Sequence, residues 1–252
     1  MTDTHCHLTD ERLAAQIDDV LARATAAGVG QIITIGTDIE DSRQCVELCR
    51  KRQNIRCAIG VHPSYINEGQ SVDLLRPFIS DLSVKAIGEI GLDYYWEKDA
   101  AKQKKQHEFL SLQLQLASTF GKPVVIHCRD AVADCLAIMK DFPQIRAVFH
   151  CFTGTLPEAD VILEAGYYLG FTGVVTFKKN QELRNIARMA PADRILIETD
   201  APYLTPEPMR KQKVNEPAMV VHTAKAIAKT REITIDEMEK ITDENARTFF
   251  SL

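Results

Sequence analysis

The sequence predicts an α/β chain of the (β/α)8 barrel class. Three observations carry this. Eight short β-like runs alternate with helical patterns from end to end. Several of those runs, such as IITI and VVIH, are nearly continuous apolar stretches, as strands buried on both faces require. The length, 252 residues, suits one barrel without a linker.

The expected strands are Met1–Thr4, Gln31–Gly36, Ile55–Val61, Val84–Ile90, Pro123–Cys128, Arg146–Cys151, Tyr167–Phe171 and Ile195–Thr199. Between them, Ile17, Val20, Leu21 and Ala24 keep the i, i+3, i+4, i+7 spacing of a helix face. Phe109, Leu112, Leu116 and Phe120 mark a second such face. Gly28, Gly121 and Gly166 stand where helices should end. Thr155-x-x-Glu158 and Thr234-x-x-Glu237 fit the capping box at two helix starts. A doubly wound sheet would need a Gly-rich phosphate turn after its first strand. That position reads His-Cys-His-Leu-Thr, so the barrel is preferred, as a single domain over residues 1–252.

The net charge is −5 and the pI about 5.8. This excludes a protein that holds nucleic acid by broad electrostatic attraction. Any phosphate must be met locally, by metal or a few placed cations. Seven cysteines without a CxxC read as free thiols in a reducing compartment. No apolar run approaches the roughly 20 residues of a membrane span. A cytoplasmic protein is expected, with no membrane contact and no obligate protein partner.

The chemistry is positional. His5 and His7 close the first expected strand, His62 follows the third, and His127 and His150 end the fifth and sixth. Glu89 lies near the end of the fourth and Asp200 ends the eighth. In a barrel these ends meet at the face where active sites are built. Alternate strand residues share a side, so His5 and His7 can hold one ion. Four imidazoles and two carboxylates exceed the ligand set of one catalytic zinc. Two divalent ions bridged by Glu89 fit better, and the donors suit zinc or manganese, with magnesium as an option. Cys6, Cys128 and Cys151 adjoin ligand histidines but alternate away from them, as packing residues. His107 and His222 fall on helices and read as surface or structural groups. Glu198 reads as a partner of the ligands or as a buried, hydrogen-bonded carboxylate. Arg129, Lys178, Lys179, Arg210, Lys211 and Lys213 are the cations available to meet phosphate.

Taken together, DTHCH at 3–7, GVHP at 60–63, AIGEIGLDYY at 86–95, PVVIHCRDA at 123–131, HCFTG at 150–154 and ETDAPYLTP at 198–206 resemble the TatD family of metal-dependent deoxyribonucleases. Asn215-Glu216-Pro217 is similar to that family's NEP segment, although Val214 stands where many members carry a basic residue. The resemblance implies a barrel with two metal ions. His5, His7, Glu89 and Asp200 would hold one ion, and Glu89, His127 and His150 the other. It also implies hydrolysis of DNA phosphodiesters, often from the 3′ end of single strands, with His62 in the active site.

In such a centre Asp200 is the candidate general base, Glu89 the bridging ligand, and His62 the group that meets the phosphate or assists the leaving group. Arg129, Lys178 and Arg210 are substrate contacts. The rival expectation is an amidohydrolase or esterase acting on a small amide, ester or lactone. Many such enzymes bridge their metals with a carboxylated lysine, but here the position reads Glu89 and Lys85 lies too far back. A non-catalytic binding protein is disfavoured by the intact ligand set.

Overall fold

The computed structural model describes residues 1–67 and 70–252. In chain order the principal elements are β1 (Thr2–Cys6), α1 (Glu11–Ala14), α2 (Ile17–Ala26), β2 (Gln31–Ile35), α3 (Ile39–Arg50), β3 (Ile55–Ile59), α4 (Arg76–Ile79) and β4 (Val84–Asp93). They continue as α5 (Ala100–Phe120), β5 (Val124–Arg129), α6 (Val132–Met139), β6 (Ala147–Phe149), α7 (Leu156–Glu164), β7 (Tyr168–Phe171), α8 (Gln181–Met189), β8 (Ile195–Ile197), α9 (Val220–Arg231) and α10 (Ile235–Phe250). The strands succeed one another β1 to β8 in a parallel sheet, the α/β barrel class the sequence predicts. Among the described residues no helix is long and apolar enough to cross a membrane.

By contact the chain divides into two compact units. One comprises Met1–Thr34 with Cys151–Leu252, the other Ile35–His150. In the first, β1 pairs with β2 and β7 with β8, and the side chains of Ile32, Ile33, Leu169, Phe171, Ile195 and Ile197 are fully buried. In the second, β3, β4, β5 and β6 pair in turn around Ile59, Ile87, Val124 and Ile126.

All eight strands form, but their ends move. β1 continues through His5 because that ring is completely buried. β4 runs on to Asp93, carried by pairing of Asp93 with Arg129 on β5. β8 stops at Ile197, so Asp200 lies beyond the strand with φ 57°. Gly28, Gly121 and Gly166 do take left-handed conformations, and both capping boxes are present.

The face expected on α5 holds at Leu116, which is buried, and in part at the half-buried Phe109 and Phe120, but not at Leu112. Leu112 is exposed, whereas Gln106, Leu110, Gln113 and Ala117 are buried. The two glutamines explain the difference. Gln106 Oε1 accepts the Asp93 N–H at 2.9 Å. Gln113 accepts the Val61 N–H at 2.7 Å and donates to the Val61 carbonyl at 3.1 Å. A buried amide whose bonds are made costs little, so polar residues can occupy a core face.

Candidate metal centre and its surroundings

In the first unit, β1 brings His5 and His7 to one side, with rings 5.1 Å apart and nearly perpendicular. Asp200 Oδ1 lies 3.7 Å from His5 Nε2 and 3.4 Å from His7 Nε2. A ligand atom of each falls within 4.8 Å of the others, the spacing of donors that surround one ion. The turn carrying Asp200 is tied down on both sides. The Asp200 N–H donates to the His5 carbonyl at 2.9 Å, and the His7 N–H to the Ala201 carbonyl at 2.7 Å.

Two residues that sequence reasoning misses complete this holding frame. Asp3, fully buried, accepts the Thr199 N–H at 2.9 Å and the Thr199 hydroxyl at 2.6 Å. Burial is the main influence on its carboxyl and pushes its pKa up to about 8. Asn215, also fully buried, donates to the carbonyls of Thr199 and Tyr203 at 2.9 and 2.6 Å. It therefore braces the chain before and after Asp200. The signal for Asp3 is its alternation with His5 and His7; that for Asn215 is the NEP segment. Glu198 is a buried carboxylate accepting the Cys151 N–H at 2.5 Å, and it also comes within 4.8 Å of a His5 ring nitrogen, so the structure is compatible with both readings of it.

In the second unit, Glu89 Oε1 meets His127 Nδ1 at 2.8 Å, His150 Nε2 at 2.9 Å and His62 Nε2 at 3.6 Å. Burial works to raise the Glu89 pKa, but the surrounding imidazoles, His150 first, hold it well below the usual carboxylate range. His127 also meets Asp93 Oδ2 through Nε2 at 3.0 Å. Burial would lower the His127 pKa, yet its bonds to Asp93 and Glu89 outweigh that and leave it raised. Sequence reasoning misses Asp93 as well. Its signal is position 89+4 on one strand, the same side as Glu89.

His62 takes a different part from the other imidazoles. Its Nδ1 accepts the Ser64 backbone N–H at 3.1 Å. A backbone N–H must donate, so in the neutral ring the proton sits on Nε2. His62 thus presents a donor towards Glu89 and His127, although by distance alone it groups with them. Its ring lies 4.3 Å from that of His127.

Of the expected substrate cations, Arg129 belongs to the second unit and Lys178 and Arg210 to the first. Arg129 is half-buried at the end of β5, its carbonyl accepting the Tyr94 N–H at 2.9 Å. Arg210 stacks over the Phe177 ring at 4.2 Å and donates to the Thr205 carbonyl at 3.3 Å. Lys178 lines a concavity of about 790 Å³ with Arg184, Arg188, Lys225 and Lys229. The last four come from α8 and α9, where sequence alone shows only solvated helix faces. His222 lines the same concavity. His107 is stacked on Tyr94, 6.1 Å between rings, and hydrogen-bonds its hydroxyl. The seven cysteines are free thiols; Cys6 is fully buried, its Sγ 3.7 Å from the Ile33 carbonyl, as expected of a packing residue.

Both groups fit divalent ions by the chemistry of their donors: buried or half-buried imidazoles converging on a carboxylate. The raised pKa of His127 gives a test of the second group. Metal requires a neutral imidazole, so an entering ion must displace that proton. The affinity of metal-free protein for zinc or manganese should rise with pH up to the raised pKa and level off above it. Calorimetry in buffers of different ionisation enthalpy should count about one proton released per ion on the acid side. A pH-independent affinity without proton release would contradict the arrangement.

Residues 2–251 match the family described as TatD related DNase. Over 257 aligned positions the chain is 37% identical to YcfH of Escherichia coli strain K12, named an uncharacterized metal-dependent hydrolase; all of this chain and 96% of that one are covered. It is 36% identical to a protein of Edwardsiella piscicida named 3'-5' ssDNA/RNA exonuclease TatD, with both chains covered in full. Among solved structures, the TatD homologue YJJV of E. coli K12 matches with a TM-score of 0.92 at 28% identity, covering 100% of this chain and 98% of that one. A TatD family hydrolase of Entamoeba histolytica matches at 0.88 and 26%, covering 99% and 97%.

Proposed function

Since the chain belongs to the TatD related DNases, a family of metal-dependent hydrolases, we propose that it hydrolyses DNA phosphodiesters with two divalent ions, preferring single-stranded or frayed 3′ ends. The observation that carries this reading is the pair of imidazole–carboxylate groups, each built at strand ends. Relatives named as ssDNA/RNA exonucleases support a single-stranded substrate.

In this proposal His5, His7 and Asp200 would hold one ion, and Glu89, His127 and His150 the other. Zinc and manganese suit the donors best. Bound ions of this kind lower the pKa of a water and neutralise charge on a phosphate. Asp200 takes the proton from the attacking water, its backbone turn held in place by Asn215 on the Thr199 carbonyl and by the His5 carbonyl. His62 donates its Nε2 proton to a phosphate oxygen or the leaving oxygen, a tautomer set by Ser64. Asp93 accepts from His127 and so fixes the ring's orientation. Arg129, Lys178 and Arg210 meet neighbouring phosphates. The seven free thiols support a cytoplasmic setting, and the barrel is taken as a single functional domain.

The test is an assay of metal-reconstituted protein on matched single-stranded DNA, blunt duplex DNA, RNA and small esters. Single strands should be cut fastest and duplexes from their frayed ends. Ester or lactone turnover without any nuclease activity would move the assignment to the small-molecule hydrolases.

A further inference from the structure

Resting on the single-strand reading above, we propose that Tyr95 and Trp96 form a platform on which a base of the bound strand stacks. They sit in the loop between β4 and α5 and are 52% and 76% exposed. Burial usually claims such large apolar rings, so two adjacent exposed ones mark a surface with a use. Their rings stand 4.8 Å apart at 90°, making a corner with two flat walls. A base resting on one wall meets the edge of the other.

The platform is anchored to the centre it would serve. Asp93 Oδ2 faces His127 at 3.0 Å, while Asp93 Oδ1 accepts the Trp96 N–H at 2.9 Å. One carboxylate therefore positions both an expected ligand and the turn that presents the ring. Trp96 is three residues past Asp93, at most about 10 Å of chain. That is roughly the length of three stacked nucleotides.

The charge around the platform also favours a nucleic acid. The chain as a whole carries −5, yet residues 94–105 hold four lysines against two acids. They are Lys98, Lys102, Lys104 and Lys105, and each is exposed. Lys98 lies 5.7 Å over the Tyr95 ring and donates to the Tyr94 carbonyl, which keeps its charge beside the aromatic corner. Aromatic faces interleaved with cations are what single-strand binding uses, because every base has a π-face and every phosphate a charge. A duplex hides its base faces except at its ends, so such a corner selects single or frayed strands.

Trp96 is the chain's only tryptophan, so its emission reports on the platform directly. The metal-loaded protein is titrated with oligothymidylate and with an abasic sugar–phosphate strand of equal length. Oligothymidylate should quench the emission strongly and the abasic strand weakly. Trp96→Ala should weaken binding of the thymidylate strand about 5- to 150-fold, the span of one lost stack. The loss should appear in KM with kcat nearly kept. Trp96→Phe should recover most of it, and circular dichroism should show each variant folded. Cleavage of single strands with no quenching, equal quenching by the abasic strand, or an unaltered KM in Trp96→Ala overturns the platform alone. Neither binding nor cleavage of any strand by the wild type overturns the platform and the nuclease reading together.

Discussion

Asp200→Asn should lower turnover by about 10²–10⁴-fold, the usual cost of losing a general base. Asparagine keeps the size of the side chain and tolerates the left-handed backbone at φ 57°. It therefore leaves the turn held by Asn215 and the His5 carbonyl in place. The amide cannot take a proton from water and is a poorer metal ligand. Substrate binding should change far less than kcat. Metal content must be measured beside turnover, because a lost ion would lower the rate by another route. A variant with full metal and near wild-type turnover would remove Asp200 from the proton-transfer step.

Gly91→Ala should be the most damaging single methyl in the second unit. Gly91 has φ 148°, a conformation that side chains rarely adopt, and a Cβ there would fall 1.9 Å from the His127 carbonyl oxygen. The obstacle is backbone, paired in register across β4 and β5, so no rotamer change relieves it. Overpacking and the enforced dihedral each cost of order 1–3 kcal/mol. A loss of about 2–6 kcal/mol in denaturant unfolding is expected from their sum, with metal affinity falling as Glu89, His127 and Asp93 are pushed apart. A stability within about 0.5 kcal/mol of wild type, the range of an indifferent surface change, would show that the strands separate locally at little cost.

The sequence makes some of this architecture legible and hides the rest for physical reasons. The eight strands can be read because their cores are apolar and period-bound. Their ends cannot, because His5 and Asp93 continue strands as buried polar groups whose partners lie far along the chain. His5, His7, Glu89, His127, His150 and Asp200 stand out as ionisable residues clustered at strand ends. Asp3, Asp93 and Asn215 do not, since their importance lies in which backbone amide, carbonyl or ring they hold. The α5 face is misread in part, at Leu112, for a related reason: Gln106 and Gln113 are polar by composition, but buried by hydrogen bonding.

Those two glutamines have a consequence for how such a protein can diversify. Because α5 supplies hydrogen bonds at Val61 and Asp93, the ends of β3 and β4 are held by a helix as well as by the loops after them, which add the Trp96 N–H on Asp93 and the Tyr94 N–H on the Arg129 carbonyl. Beyond those contacts the loops act as modules plugged into a socket that the strands and α5 hold. Outside His62, Ser64 and the Asp93–Trp96 bond they can lengthen, shorten or exchange their side chains while Glu89 and His127 stay where the strands put them. Substrate preference can then be rewritten by loop grafting, with the ligand scaffold inherited unchanged.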